Sequence, residues 1–316
     1  MSWRVAVLLV AVPLTAAGNL IAGKFALRSF SPMEANALRY VLALFVLLPL
    51  LPRWPRLERR DLPLMVVNGI IGICIYNLLF FGAMTLIPAS EVALLELAIP
   101  AGSLALAWLL LQERIGIRQI AGMAISWSGA LWLLRILPTT AMTVKTSADW
   151  RGEILMIVGV ACFSAYSITS KLSMRRQPPP AVATWSCLFG AIPLVLLAAP
   201  PLAADPGILA RATPASWIGI VYGGLVGFVF NIIAWYYCFR AVGVARTNIF
   251  LYLVPVFGAL LAMMIFSERL TLWQLFGAAV MMAGVVLATF EPSALARRTE
   301  PTLAPQASSP GRLADG

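Results

Sequence analysis

Residues 88–134 read PASEVALLELAIPAGSLALAWLLLQERIGIRQIAGMAISWSGALWLL. Moved by 155 positions, this stretch lies without a gap on residues 243–289, GVARTNIFLYLVPVFGALLAMMIFSERLTLWQLFGAAVMMAGVVLAT. Pro100 falls on Pro255, Glu113-Arg114 on Glu268-Arg269, Gln119 on Gln274, Gly122 on Gly277 and Gly129 on Gly284. Each copy reads as an apolar helix with a proline near its middle, then Glu-Arg, then a second apolar helix with glycines seven apart. A self-match at a fixed period outranks any local motif in deciding architecture.

The repeat reaches upstream at a slightly different offset. Shifted by 147, Trp3-Arg4 meets Trp150-Arg151, Lys24 meets Lys171, Arg28 meets Arg175 and Pro32 meets Pro179. The duplicated unit is therefore half of the chain: residues 1–137 and residues 152–290, with a polar link at 138–151 and a disordered cytoplasmic tail at 291–316. Of the 316 residues, 61% are apolar and 11% charged, where a soluble domain carries about 25% charged residues. Lipid as solvent explains that deficit. The sequence predicts an all-α integral membrane protein of ten transmembrane helices. They run over about 5–23, 33–52, 62–86, 89–111 and 115–136, then 152–173, 181–200, 214–239, 245–267 and 271–290. The first run, Val5 to Gly23, is 19 residues without a charge, too long for a signal-peptide core.

Five helices per half is an odd number, so the second half enters the membrane from the opposite side. Inverted repeats of this kind place a binding site near the midplane, between the copies. With the N-terminus inside, the inner segments hold 15 Lys and Arg and the outer segments 8, the outer set including Lys24, Arg28 and Arg39. Both termini are thus expected in the cytoplasm. The net charge of +10 follows from these loops and forms no basic helix for nucleic acid. There is no histidine, which removes the commonest general base and metal ligand. The four cysteines lie in apolar runs without a C-x-x-C spacing, so no metal site or cofactor is expected.

Ten helices in two halves, with Ile99-Pro100 and Gln112-Glu113-Arg114 in one and Val254-Pro255 and Ser267-Glu268-Arg269 in the other, resemble the drug/metabolite transporter superfamily, EamA type. That resemblance covers roughly Trp3 to Phe290 and is specific for the fold rather than for a substrate. It implies a carrier of the bacterial inner membrane, with many family members exporting amino acids and other metabolites. Where the family often has Trp-Gly early in helix 1, this chain has Ala17-Gly18.

The segment Gly18 to Phe25, G-x-x-x-x-G-K-F, is one residue short of a phosphate-binding loop and lies in a span without a preceding strand; ATP is not the fuel. Both Glu-Arg pairs sit where a span meets water and read as helix-end anchors rather than gates. Gly122, Ser126 and Gly129 form a small-residue face on helix 5, as Gly277 and Gly284 do on helix 10. Packing within the monomer and a homodimer seam fit these faces equally. Pro100 and Pro255 each remove a backbone donor, and read as kinks in cavity-lining helices.

An amide facing lipid costs several kcal/mol by transfer estimates, so the polar residues inside spans should face inward. Asn19, Tyr76, Asn77, Tyr166, Asn231, Trp235, Asn248 and Tyr252 are the candidate substrate-binding residues, some of which only bridge helices. They are expected in one pocket walled by helices 1, 3, 4, 6, 8 and 9, with 5 and 10 peripheral. Glu96 joins them: it lies one turn before Pro100, roughly 10 Å into helix 4 at 1.5 Å per residue. Its counterpart in the other half is Leu251, so folding does not demand an acid there. Glu96 either carries a coupling proton or is a fixed partner for Lys24, Lys171 or a substrate amino group, with pairing favoured. The expected function is a secondary transporter exporting small organic metabolites by alternating access. A membrane-embedded enzyme is the rival, against which stand the missing histidines and the absence of G-x-S-x-G and H-E-x-x-H. A non-transporting scaffold leaves the paired prolines and buried amides without a use.

Overall fold

The computed structural model describes residues 3–53, 57–112, 116–133, 150–242, 250 and 253–289. In chain order the long helices are α1 (Trp3–Ala26), α2 (Pro32–Leu47), α3 (Leu62–Leu86), α4 (Ala89–Leu110), α5 (Ile117–Leu133), α6 (Trp150–Ser173), α7 (Pro179–Ala204), α8 (Pro214–Val242), α9 (Leu253–Phe266) and α10 (Leu272–Thr289). Seven of them, α1 to α4 and α6 to α8, are long and apolar enough to cross a membrane; α9 and α10 are shorter apolar helices. Large apolar side chains point outward from these helices, among them Phe45 (77% exposed), Leu196 (68%) and Met264 (80%). An exterior of this kind is stable against hydrocarbon and not against water.

Local chemistry sets the helix starts. Ser31 caps α2: its Oγ accepts from the Glu34 N–H, Glu34 Oε2 accepts from the Ser31 N–H at 2.8 Å, and Pro32 stands at the first position, where its missing donor costs nothing. Thr213 caps α8 through its Oγ1, which accepts from the Ser216 N–H, with Pro214 at the first position but no reciprocal side-chain bond.

The helices pack across the two halves. α1 lies against α8 and α9, while α6, its counterpart, lies against α3 and α4; α2 packs on α7 and α8, and α7 on α2 and α3. The backbones of α5 and α10 approach closely along one seam. Trp132 and Trp273 stack there with ring centroids 4.0 Å apart, and Trp273 Nε1 donates to Trp132 O at 2.9 Å. The small-residue faces meet each other in it, Gly122 against Gly284 and Ala288, and Gly129 against Gly277 and Met281. Of the two readings of these faces, the monomer's own packing uses them.

Three irregularities recur in both halves. α3 and α8 each contain a π-helical stretch, Asn68–Ile75 and Tyr222–Phe230. An amide follows each: Asn77 Nδ2 donates to Gly72 O and Asn231 Nδ2 to Val226 O, both at 3.2 Å and both five residues back. Left-handed backbone occurs at Gln112 (φ 50°) and Ser267 (φ 55°), positions that coincide under the 155 shift. Finally, Gly72 abuts the Tyr166 ring and Gly227 abuts Asn19, and these pairs too are related by the repeat. With a side chain at either glycine, α3 could not approach α6, nor α8 approach α1, as closely as they do.

Candidate substrate cavity

A cavity of ≈ 380 Å³ lies where α1 to α4, α6, α8 and α9 converge. Pockets for small molecules start near that size. Asn19, Tyr76, Asn77, Glu96, Tyr166 and Asn231 all line it, as do Pro100 and Pro255. Trp235 does not line it. That residue lies one α-helical turn beyond Asn231, past the part of α8 that lines the cavity, which is Gly227, Phe228, Asn231 and Ile232. Asn248 and Tyr252 lie outside the described residues.

Helix α4 is bent at this cavity for a covalent reason. Pro100 has no N–H to give to the carbonyl one turn back. The helix tightens into a 3₁₀ turn at Glu96–Ala98 and resumes at Ile99. Glu96 sits in that turn and accepts a hydrogen bond from the Tyr76 hydroxyl at 2.7 Å, its one hydrogen-bond partner among the described residues. Across the bend, Ser164 Oγ donates to Ile99 O at 3.3 Å from α6. Pro255, in contrast, is the third residue of α9; the stretch just before it, where the expected kink would begin, lies outside the described residues.

Neither lysine pairs with Glu96. Lys24 is not in a loop but in the last turn of α1, where its Nζ donates to Met84 O at 2.8 Å and Ile87 O at 3.4 Å, at the end of α3. Lys171 is exposed near the end of α6.

Arg39 corrects the sequence reading twice. Counted among outer-loop charges, it lies inside α2, is only 3% exposed and lines the cavity. It also brings α2 into the wall, which the expected set of helices omitted. Its Nη2 donates to Tyr40 Oη at 3.0 Å and Asn77 Oδ1 at 3.1 Å, and its guanidinium lies over the rings of Tyr40 and Phe81. An arginine in the middle of an apolar run was the available signal.

Beside the cavity, the turn from α3 to α4 is held by the other half. Glu268, just past α9, accepts from the Ala89 N–H at 3.0 Å and the Ser90 N–H at 2.8 Å. It is an anchor, as expected, but for the N-terminus of α4 rather than for its own turn. The α1–α2 and α7–α8 connections join nearby, Thr213 N–H donating to Ser29 Oγ at 3.2 Å. Elsewhere Arg176 meets Asp61 at 2.9 Å, tying the α6–α7 turn to the start of α3.

Among the described residues, a helical body with an apolar exterior and a cavity lined by amides, aromatic rings, an acid and an arginine defines a multi-pass membrane protein. The profile of the EamA-like transporter family matches residues 3–135 and again residues 150–290, and the chain belongs to that family. A protein of Streptantibioticus cattleyicolor named "probable terminal-alkyne amino-acid exporter" is 30% identical over 264 residues, covering 84% of this chain and 82% of the relative. The "probable amino-acid metabolite efflux pump" of Salmonella typhimurium is 25% identical, covering 86% of this chain and 90% of the relative. The "uncharacterized transporter YyaM" of Bacillus subtilis is 24% identical, covering 84% and 87%. A solved crystal structure aligns with a TM-score of 0.58 at 20% identity, covering 95% of this chain and all of that one, and shares the fold.

Proposed function

We propose that the chain is a secondary carrier that exports small organic metabolites, amino acids or related compounds, by alternating access between two inverted five-helix halves. The observation that carries this reading is the cavity itself, to which both halves contribute repeat-related residues: Asn19 with Gly227, and Tyr166 with Gly72. The exchange of packing partners between α1 and α6 supports the inversion. So does the grouping of turns: the contacts of Lys24, Glu268 and Ser29 gather one set of connections, and that of Arg176 with Asp61 gathers the alternate set. Ten spans alternating from a cytoplasmic N-terminus place those two sets on opposite faces. With Arg39 buried inside α2, the outer tally of basic residues is seven against 15 inside, which supports the orientation with both termini in the cytoplasm of a bacterium. The relatives named as an amino-acid exporter and an efflux pump support the substrate class. Reporter fusions after Arg114 and after Arg269 should report opposite sides of the membrane; the same side for both would refute the inversion.

The decisive experiment is substrate flux into proteoliposomes holding the purified protein, with empty liposomes as control. Absence of flux for amino acids and related metabolites would sink the reading. Within it, Glu96 shares the cavity with Tyr76, Tyr166 and Arg39 and is bonded to the first of these; its favoured role is a fixed partner for a substrate amino group, the alternative is carriage of a coupling proton, and one variant separates the two. Glu96→Gln keeps the shape and the bond to Tyr76. Proton coupling through Glu96 predicts a variant that still exchanges substrate across the bilayer but loses most of the response to an imposed pH gradient. A gradient response equal to the parent's would remove Glu96 from that role.

A further inference from the structure

We propose that Arg39 is the anion-recognising residue of the cavity, and that the molecule bound there is an apolar body ending in a carboxylate. This rests on the cavity being the substrate site. An arginine carries five N–H donors. Two bonds leave Nη2 of Arg39, while Nε and Nη1 are buried without a partner, and among the described residues no carboxylate forms an ion pair with it. A cation buried seven residues into an apolar helix is costly when unpaired, and stacking on two rings returns only part of that cost.

Folding does not require the charge. Under the 147 shift Arg39 corresponds to Ser186. The backbone does the same work at both places: Gly224 packs against Arg39 O, and Gly69 against Ser186 O. A helix bridge to Asn77 and Tyr40 could equally be made by a neutral amide. What the arginine adds is positive charge with open donors, on one side of the cavity only.

Nor is the charge there to neutralise Glu96. Neighbouring residues of α3 hold the two groups separately, Tyr76 bonding Glu96 and Asn77 bonding Arg39. Each lies seven residues into its helix, roughly 10 Å from the helix start. Their cavity is otherwise walled mainly by rings and aliphatic chains such as Phe80, Phe163 and Leu97. One guanidinium with Nε and Nη1 open matches the two oxygens of a single carboxylate; a phosphate dianion would need a second cation to hold it.

The test is ligand binding by the full chain in detergent, read as thermal stabilisation. The probes are short aliphatic and arylalkyl carboxylates, each paired with its neutral amide. The parent should bind at least one carboxylate tenfold or more tightly than its amide, and Arg39→Gln should lose that preference. Arg39→Lys should keep part of it. Without ligand, Arg39→Gln should melt no lower than the parent, since it removes an uncompensated charge; a structural arginine would give a lower melting temperature. Equal binding of acid and amide by the parent, binding of no carboxylate at all, or an Arg39→Gln variant that still prefers the acid would each overturn the proposal. Flux separates the two readings. Transport of amides but not acids, unchanged in Arg39→Gln, leaves a carrier and discards this role for Arg39. Carboxylate binding through Arg39 without flux of any probe keeps the site and discards the carrier.

Discussion

Gly122→Ala should cost about 2 kcal/mol or more of stability, although alanine is the better helix former by up to ~1 kcal/mol. The added methyl would fall 2.5 Å from Ala288 N and 2.5 Å from Gly284 O. Both are backbone atoms of α10, so no rotamer change can make room and the whole α5–α10 seam must open. Along that seam the Trp132–Trp273 stack would part as well. Gly116→Ala, just before α5, is the control, because nothing lies within 4 Å of where its methyl would go. Thermal unfolding and size-exclusion profiles in detergent should show a clear loss at Gly122 and little change at Gly116. Parent-like unfolding of Gly122→Ala would mean that the two helices do not pack this closely.

Glu268→Ala should free the start of α4. The carboxylate accepts two backbone N–H bonds at a helix N-terminus, where negative charge is also favoured by the helix dipole. Hydrogen bonds to a charged group are worth about 1.5–3 kcal/mol each. Glu268 is half-buried, so discounting for solvent leaves ~2 kcal/mol for the pair. That corresponds to roughly thirtyfold faster amide exchange through local opening of residues 87–92. Glu268→Gln, keeping one acceptor oxygen, should fall between. Hydrogen–deuterium exchange on that peptide reads the effect directly, and identical protection in all three proteins would show that the clamp holds nothing. If the two halves rock against each other in transport, this contact has to break in every cycle, so its loss should alter flux too.

Much of the architecture was legible because it is written twice. The 155 shift that aligns Pro100 with Pro255 also carries Gly69 and Gly72 onto Gly224 and Gly227. Those glycines stand in the two π-helical stretches, whose winding no hydropathy count reveals. Six of the proposed site residues line one cavity for a simple reason: amides, rings and an acid inside apolar helices avoid lipid. Trp235 misled because an indole is content in several environments, packed against helices or at an interface, so its presence in a span points nowhere in particular. Arg39 was misplaced because a tally of basic residues credits each one to an adjoining segment, even where the expected helix, from about residue 33, already contains it. The partner of Glu268 was beyond reach in principle, since 179 residues separate it from Ala89 and nothing local records the pairing.

The crossed packing has a consequence for how the chain is made. α1 emerges first, yet the helices it rests on, α8 and α9, begin at Pro214 and Leu253. At about 5–20 residues per second, translation leaves α1 without them for roughly ten seconds to a minute. During that wait its Thr15 and Asn19, which end up beside Asn231 and Gly227, must be sheltered by the insertion machinery, by lipid headgroups or by provisional neighbours. Assembly of this molecule is therefore governed by its last helices, and a truncation near the C-terminus should harm the N-terminal helix as much as the end that was cut.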